Sequence, residues 1–270
     1  MTEKFNPYQP LTLKQLSSWK PEQPPEILSN GLLPKGHVMF LYGEEETWKS
    51  WLIIDMVFSI ANNLPWLVYK TMPVKCLVIN PEIPAKAYKD RIELFHKTRN
   101  LTPANDELLR FWTDLDLRID DSQGKTRLLH YAKQFMPDLI VVDGLEFVVR
   151  GDLATALTAS ALRDTINQAR AICNCSFVLV HHKKKSAYDV TGKKLSLGVD
   201  EMYGHSILKN MADTIIMVEK DTRDEEVILV KSQKTRMSPL NKPPPLPFRF
   251  SREQLEFALW LGGDVEEQKC

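Results

Sequence analysis

Gly43-Glu44-Glu45-Glu46-Thr47-Trp48-Lys49-Ser50 sets a glycine, a lysine and a hydroxyl at the spacing of a phosphate-binding loop, G-x-x-x-x-G-K-[ST]. In that arrangement backbone N–H groups of the turn and of a following helix face an anion. Lys49 then neutralises β- and γ-phosphates, and the Ser50 hydroxyl is available to Mg²⁺. The match has two flaws. Trp48 stands where the second glycine belongs, so the backbone there must avoid a glycine-only conformation. Glu44, Glu45 and Glu46 must extend into solvent if phosphate affinity is to survive. The same residues also suit an ordinary strand-to-helix turn carrying Lys-Ser by chance.

Further candidates stand where apolar runs end. Asp143 closes Leu139-Ile140-Val141-Val142, the place of an acid that holds Mg²⁺, or simply of a turn residue before Gly144. Glu82 follows Cys76-Leu77-Val78-Ile79-Asn80-Pro81 and suits a base for an attacking water, or an acid favoured by a helix dipole. His181 and His182 follow Phe177-Val178-Leu179-Val180, placed to sense a γ-phosphate or to touch nucleic acid; solvated histidines are the plain alternative. Lys183, Lys184, Lys185, Lys193 and Lys194 face the single acid Asp189, which suits a sequence-independent contact to a phosphate backbone or a merely solvated face. Lys234 and Arg236 follow Val227–Val230 and suit a cationic finger reaching a neighbour's γ-phosphate, or a basic turn before Pro243–Pro245.

The elements that must position these residues alternate. Val38–Tyr42, Lys75–Asn80, Asp138–Asp143 and Ser176–His181 read as buried strands, and Leu108–Trp112 as a shorter one. Helices are expected after the phosphate loop and over 81–99, 126–134 and 154–171, with Pro137 ending the third. Late strands are expected over 213–219, 226–231, 248–250 and 257–260. The pattern predicts an α/β domain with a mostly parallel sheet, helices on both faces and antiparallel strands at the C-terminal end. Residues 1–30 read as an arm before a domain over 31–270, and 182–203 as a long loop.

Composition sets the bounds. The 270 residues balance 35 basic against 35 acidic side chains, so nucleic-acid contact needs a local patch. No apolar run reaches about 18 residues, and the N-terminus lacks a signal-peptide core. The four cysteines have no metal-ligand spacing and read as reduced thiols. A cytoplasmic protein with no membrane partner is expected.

Taken in order, these motifs resemble the RecA-like P-loop ATPases, and most closely the RepA-type hexameric replicative helicases. The resemblance runs from about Gly31 to Arg252. It implies a RecA-like core in which Gly43–Ser50 is Walker A and binds ATP. Glu82 would be the catalytic glutamate, and Asp143 the Walker B acid that holds Mg²⁺ with Ser50. His181 would lie on the sensor strand, and His182 and the lysine-rich stretch would face single-stranded DNA. Lys234 and Arg236 would act across a subunit interface of a homo-oligomer, implied to be a hexamer. A recombinase-like filament protein, a non-hydrolysing DNA-loading factor and a small-molecule kinase are the rival readings, the basic stretch and the late Lys-x-Arg counting against the last.

Overall fold

Alternating apolar strands and amphipathic helices build a twisted sheet covered on both faces. The computed structural model describes residues 10–20, 22–103, 105–184, 198–237 and 244–261. The chain opens with helix α1 (Leu13–Ser18), a ribbon of β1 (Glu26–Leu28) and β2 (Leu33–Pro34), strand β3 (Val38–Gly43) and helix α2 (Lys49–Ala61). It continues through β4 (Cys76–Ile79), α3 (Ala85–Arg99), β5 (Leu109–Trp112), α4 (Ser122–Phe135) and β6 (Leu139–Asp143). Next come α5 (Ala156–Cys173), β7 (Ser176–His182), α6 (Ser206–Met211), β8 (Thr214–Lys220), β9 (Val227–Thr235), β10 (Leu246–Ser251) and β11 (Glu256–Leu259).

The main sheet runs β11-β10-β9-β8-β3-β7-β6-β4-β5. From β8 to β5 every pairing is parallel, and β9, β10 and β11 add antiparallel strands. This is the RecA-like α/β arrangement expected. Alternation along β3 sends Met39 and Leu41 to a core with α2 and α3, and Val38, Phe40 and Tyr42 to a second core with α4, α5 and α6.

Several boundaries differ from expectation for local reasons. Helix α4 starts at Ser122, because Asp121 caps the Gly124 amide at 2.8 Å, and stops at left-handed Met136, one residue before Pro137. Strand β9 continues to Thr235, so Lys234 lies within a paired strand. Ile27, Leu28 and Leu33 are fully buried, so the ribbon packs into the core across residue 30. Helix α1 has a complete capping box from Thr12 and Gln15 and buries nothing. Within 182–203, a short 3-10 turn spans Gly198–Glu201. Cys76, Cys173 and Cys175 are buried free thiols, and among the described residues no helix is long and apolar enough to cross a membrane.

Candidate nucleotide site

The C-terminal ends of β3, β6 and β7 and the turn after β4 meet at a cleft of about 480 Å³. Glu45–Trp51, Glu82, Arg91, Asp143, Gly144, Phe147 and Val180–His182 line it. Strand ends of a parallel sheet are where ligands bind in open α/β folds. Gly43 is needed for closeness: a Cβ there would lie 2.2 Å from the Val218 carbonyl oxygen.

Trp48 adopts the left-handed conformation at φ 61°, ψ 17°, the backbone that glycine would supply at this position. The strain of roughly 1 kcal/mol for a non-glycine residue there is offset by its ring. The indole lies 4.7 Å from Phe250 between ring centroids, with the Arg252 guanidinium 4.8 Å and the Lys220 ammonium 5.9 Å from its centre. Strand β10 thus grips the phosphate loop through Trp48. The Glu44 and Glu46 side chains are 48 % and 88 % exposed and Glu45 is exposed too; Glu44 reaches Lys183 and Glu46 reaches Lys220, while Glu45 and Glu46 stand at the rim of the cleft.

Lys49 is buried with its ammonium folded onto its own loop. It donates to Gly43 O at 3.2 Å, Thr47 Oγ1 at 3.3 Å and Glu44 O. Burial lowers its pKa, against the pull of Asp143. Thr47 Oγ1 also donates to Glu44 O at 2.8 Å, which closes the loop. Ser50 Oγ donates to Asp143 Oδ1 at 3.3 Å. Burial raises Asp143 to about 6, and the Ser50 hydrogen bond opposes that rise.

Asn80 is a member the sequence reading passed over. Its Nδ2 donates to Asp143 Oδ2 at 3.4 Å, and its Oδ1 accepts from Ile83 N at 3.2 Å. It therefore joins the acid on β6 to the turn that carries Glu82. The Glu82 carboxylate faces Gly144, whose φ is +105° and whose Cβ position would lie 3.2 Å from Glu82 Oε2. Burial raises the Glu82 pKa, and Glu146 adds to it. Glu146 was also missed. It pairs with His182 Nε2 and lies 3.4 Å from His181 Nδ1. Burial pushes Glu146 up, but the hydrogen bonds from the two histidines outweigh it and hold it at about 2. The Glu146 hydrogen bond in turn raises His182. His181 Nε2 lies 3.0 Å from Tyr203 O. Arg91 was missed as well, although a charge three residues after Tyr88 and four before Phe95 on the buried face of α3 is a visible anomaly. Its guanidinium lies 5.4 Å over Trp51.

The remaining candidates are placed elsewhere. Lys183, expected to face nucleic acid, has a side chain only 1 % exposed and ion pairs to Glu201 and Glu219. Those pairs withhold its ammonium from a phosphate backbone, which corrects its assignment. Lys184 is exposed, while Lys185, Lys193 and Lys194 lie outside the described residues. Lys234 donates to Lys209 O at 2.8 Å, and Arg236 pairs with Asp213 Oδ1 at 2.9 Å and stays half exposed. Thr235 pairs with Thr214 while Gly43 pairs with Val218. Four residues of β8 therefore separate the two places, roughly 13 Å along the sheet, and put Lys234 and Arg236 at the opposite edge from the cleft.

The sequence matches the family described as AAA domain over residues 4–187. The chain belongs to that family. Solved structures agree on the architecture of this AAA-domain protein. A KaiC-like protein from the archaeon Pyrococcus horikoshii is 11 % identical with a TM-score of 0.61, covering 87 % of this chain and 93 % of its own. The flagellar accessory protein FlaH from Methanocaldococcus jannaschii is 15 % identical with a TM-score of 0.54, over 85 % and 91 %. No curated protein sequence matches. The chain is a RecA-like P-loop ATPase by family, fold and loop. Such a site takes a nucleotide, usually with Mg²⁺. The fit is chemical: Ser50 and Asp143 present the hard oxygen donors Mg²⁺ selects.

Proposed function

We propose that this AAA-domain ATPase is a nucleic-acid-dependent motor, a ring-forming helicase of the RepA type that hydrolyses ATP between subunits and moves on single-stranded DNA. The observation carrying this reading is the convergence of Glu82, Lys49, Ser50 and Asp143 on one cleft from three strand ends. Lys49 is poised to exchange its loop carbonyls for phosphate oxygens. Bound Mg²⁺ would be held by Ser50 and Asp143 and would neutralise phosphate charge. Glu82 accepts the proton of an attacking water at its carboxylate, which burial and Glu146 make more basic. Lys234 and Arg236 of the partner subunit would complete the site, since within one subunit they lie at the far edge. Lys184, with Lys185, Lys193, Lys194 and His182, would supply the DNA contact. A cytoplasmic location and an arm over residues 1–30 belong to the same reading.

A second reading, a nucleotide-gated DNA-binding factor without turnover, is favoured by Trp48 in the glycine position and by Glu44–Glu46. One experiment separates them: steady-state ATP hydrolysis with and without single-stranded DNA, beside Lys49→Ala and Glu82→Gln. The motor requires DNA-stimulated turnover that both substitutions abolish. Nucleotide binding with wild type and both variants at background would sink the motor and leave the second reading.

A further inference from the structure

Lys183 differs from the lysines that follow it. It stands at the end of β7, yet its ammonium is enclosed by carboxylates from three parts of the chain. Nζ lies 2.7 Å from Glu201 Oε2, 2.9 Å from Glu219 Oε1 and 3.8 Å from Glu44 Oε1. Glu219 is shared with Lys231 Nζ at 2.5 Å. An isolated ammonium in so dry a place is unfavourable, and so is the buried Glu201 carboxylate without one, so Lys183 and Glu201 stand or fall together. Burial lowers the Lys183 pKa, and its bonds to Glu201 and Glu219 more than restore it.

The backbone is tied at the same point. Lys183 N donates to Gly43 O at 3.1 Å, the carbonyl that also accepts from Lys49 Nζ. Lys184 N donates to Glu201 O at 2.6 Å, and Lys183 bridges Met202. Tyr42 Oη donates to Gly198 O at 2.9 Å, and Tyr203 N donates to His182 O at 3.3 Å. The segment Gly198–Tyr203 is thus pinned against the first residues of the phosphate loop. Gly43 and Glu44 sit between two lysines: Lys49 holds their carbonyls from the cleft side, and Lys183 meets Gly43 O and the Glu44 carboxylate from the other.

We propose that Lys183 is a positioning residue that fastens Gly198–Tyr203 to Gly43 and Glu44, so that phosphate binding in the cleft is transmitted to that segment. The transmission, though not the fastening, rests on the cleft being a nucleotide site. A phosphate competes with the Gly43 and Glu44 carbonyls for Lys49, and any shift of that peptide is felt at Lys183 through both its contacts. Because the Lys183–Glu201 pair is buried, breaking it is costly, so the segment stays fastened unless that pair is lost.

The test is hydrogen exchange over residues 198–203, with and without Mg·ADP, in wild type, Lys183→Met, Lys183→Arg and the milder Glu201→Gln. Exchange in α5 serves as the folding control, and fluorescent ADP reports affinity. Without nucleotide, Lys183→Met should exchange about tenfold faster over 198–203, Glu201→Gln about threefold faster and Lys183→Arg close to wild type. Mg·ADP should change exchange there in wild type and Lys183→Arg, and not in Lys183→Met. Wild-type exchange in Lys183→Met and Glu201→Gln would overturn the fastening. A nucleotide response that persists in Lys183→Met would overturn the transmission. Failure of wild type to bind ADP would remove the nucleotide reading and the transmission with it, while the ligand-free arm still decides the fastening.

Discussion

Ser50 and Asp143 lie 93 residues apart in the chain and meet through a hydrogen bond of 3.3 Å between the start of α2 and the end of β6. Asn80 holds the other Asp143 oxygen, so the carboxylate is oriented before any ligand arrives. Asp143→Asn should therefore weaken Mg·ATP binding by about 10–100-fold, while ADP affinity in EDTA stays within about threefold. Titration of a fluorescent nucleotide in both conditions checks this. Equal losses with and without Mg²⁺ would place Asp143 in general scaffolding.

Trp48 yields an ordering between two variants. Alanine keeps the left-handed strain and loses the ring, whereas glycine loses the ring and relieves the strain. Trp48→Gly should be more stable than Trp48→Ala by about 1 kcal/mol, with both below wild type. Urea melts of the three proteins decide it. An alanine variant as stable as the glycine variant would mean that the loop abandons its left-handed turn once the ring is gone.

The Glu146–His182 pair predicts a pH window. Glu146 is held at about 2, so its contribution is full above the ordinary carboxylate value and is lost as pH falls through about 2. His182 is raised, so its contribution is full below the ordinary histidine value and disappears as pH rises through the raised one. The pair is strongest between the two. Glu146→Gln should bring the His182 midpoint down, because burial alone lowers it, and an NMR titration of the imidazole reads this directly.

Asp55 in α2 should report the opposite sign. Burial raises its pKa to about 7, with Arg99 3.9 Å away giving partial relief. The folded state holds its proton more tightly than the unfolded one, so stability declines as pH rises from about 4 towards 7. At about 1.4 kcal/mol per unit, the cost at pH 8 is on the order of 4 kcal/mol. Asp55→Asn should raise the melting temperature at pH 8 by several degrees and much less at pH 5. Equal gains at both pH values would show that the carboxylate does not titrate in this way.

The sheet and the cleft were legible in the sequence because β3, β6 and β7 are short apolar runs ending in chemistry-bearing residues, as buried parallel strands must. Glu45–Ser50, Glu82, Asp143 and His181 all reach the same cleft, each at or just past the end of a strand. Asn80 was hidden because an amide at a strand end has no periodic signature, and its role lies in partners on two other elements. Lys183 was misread because a run of lysines looks uniform in sequence, while one of its partners, Glu219, is 36 residues away on β8. Arg236 shows a further limit: residue type suggests a finger, but only the pairing of Thr235 with Thr214 reveals which edge it occupies.

That edge has an arithmetical consequence. If, as proposed, Lys234 and Arg236 of one copy complete the cleft of the next, two copies joined head to tail use one cleft and one finger and leave one of each unsatisfied. A pair assembled in this way holds one complete cleft, and each further copy adds one more. Only a closed circuit leaves none over, so turnover per chain would climb with assembly size and level off at closure.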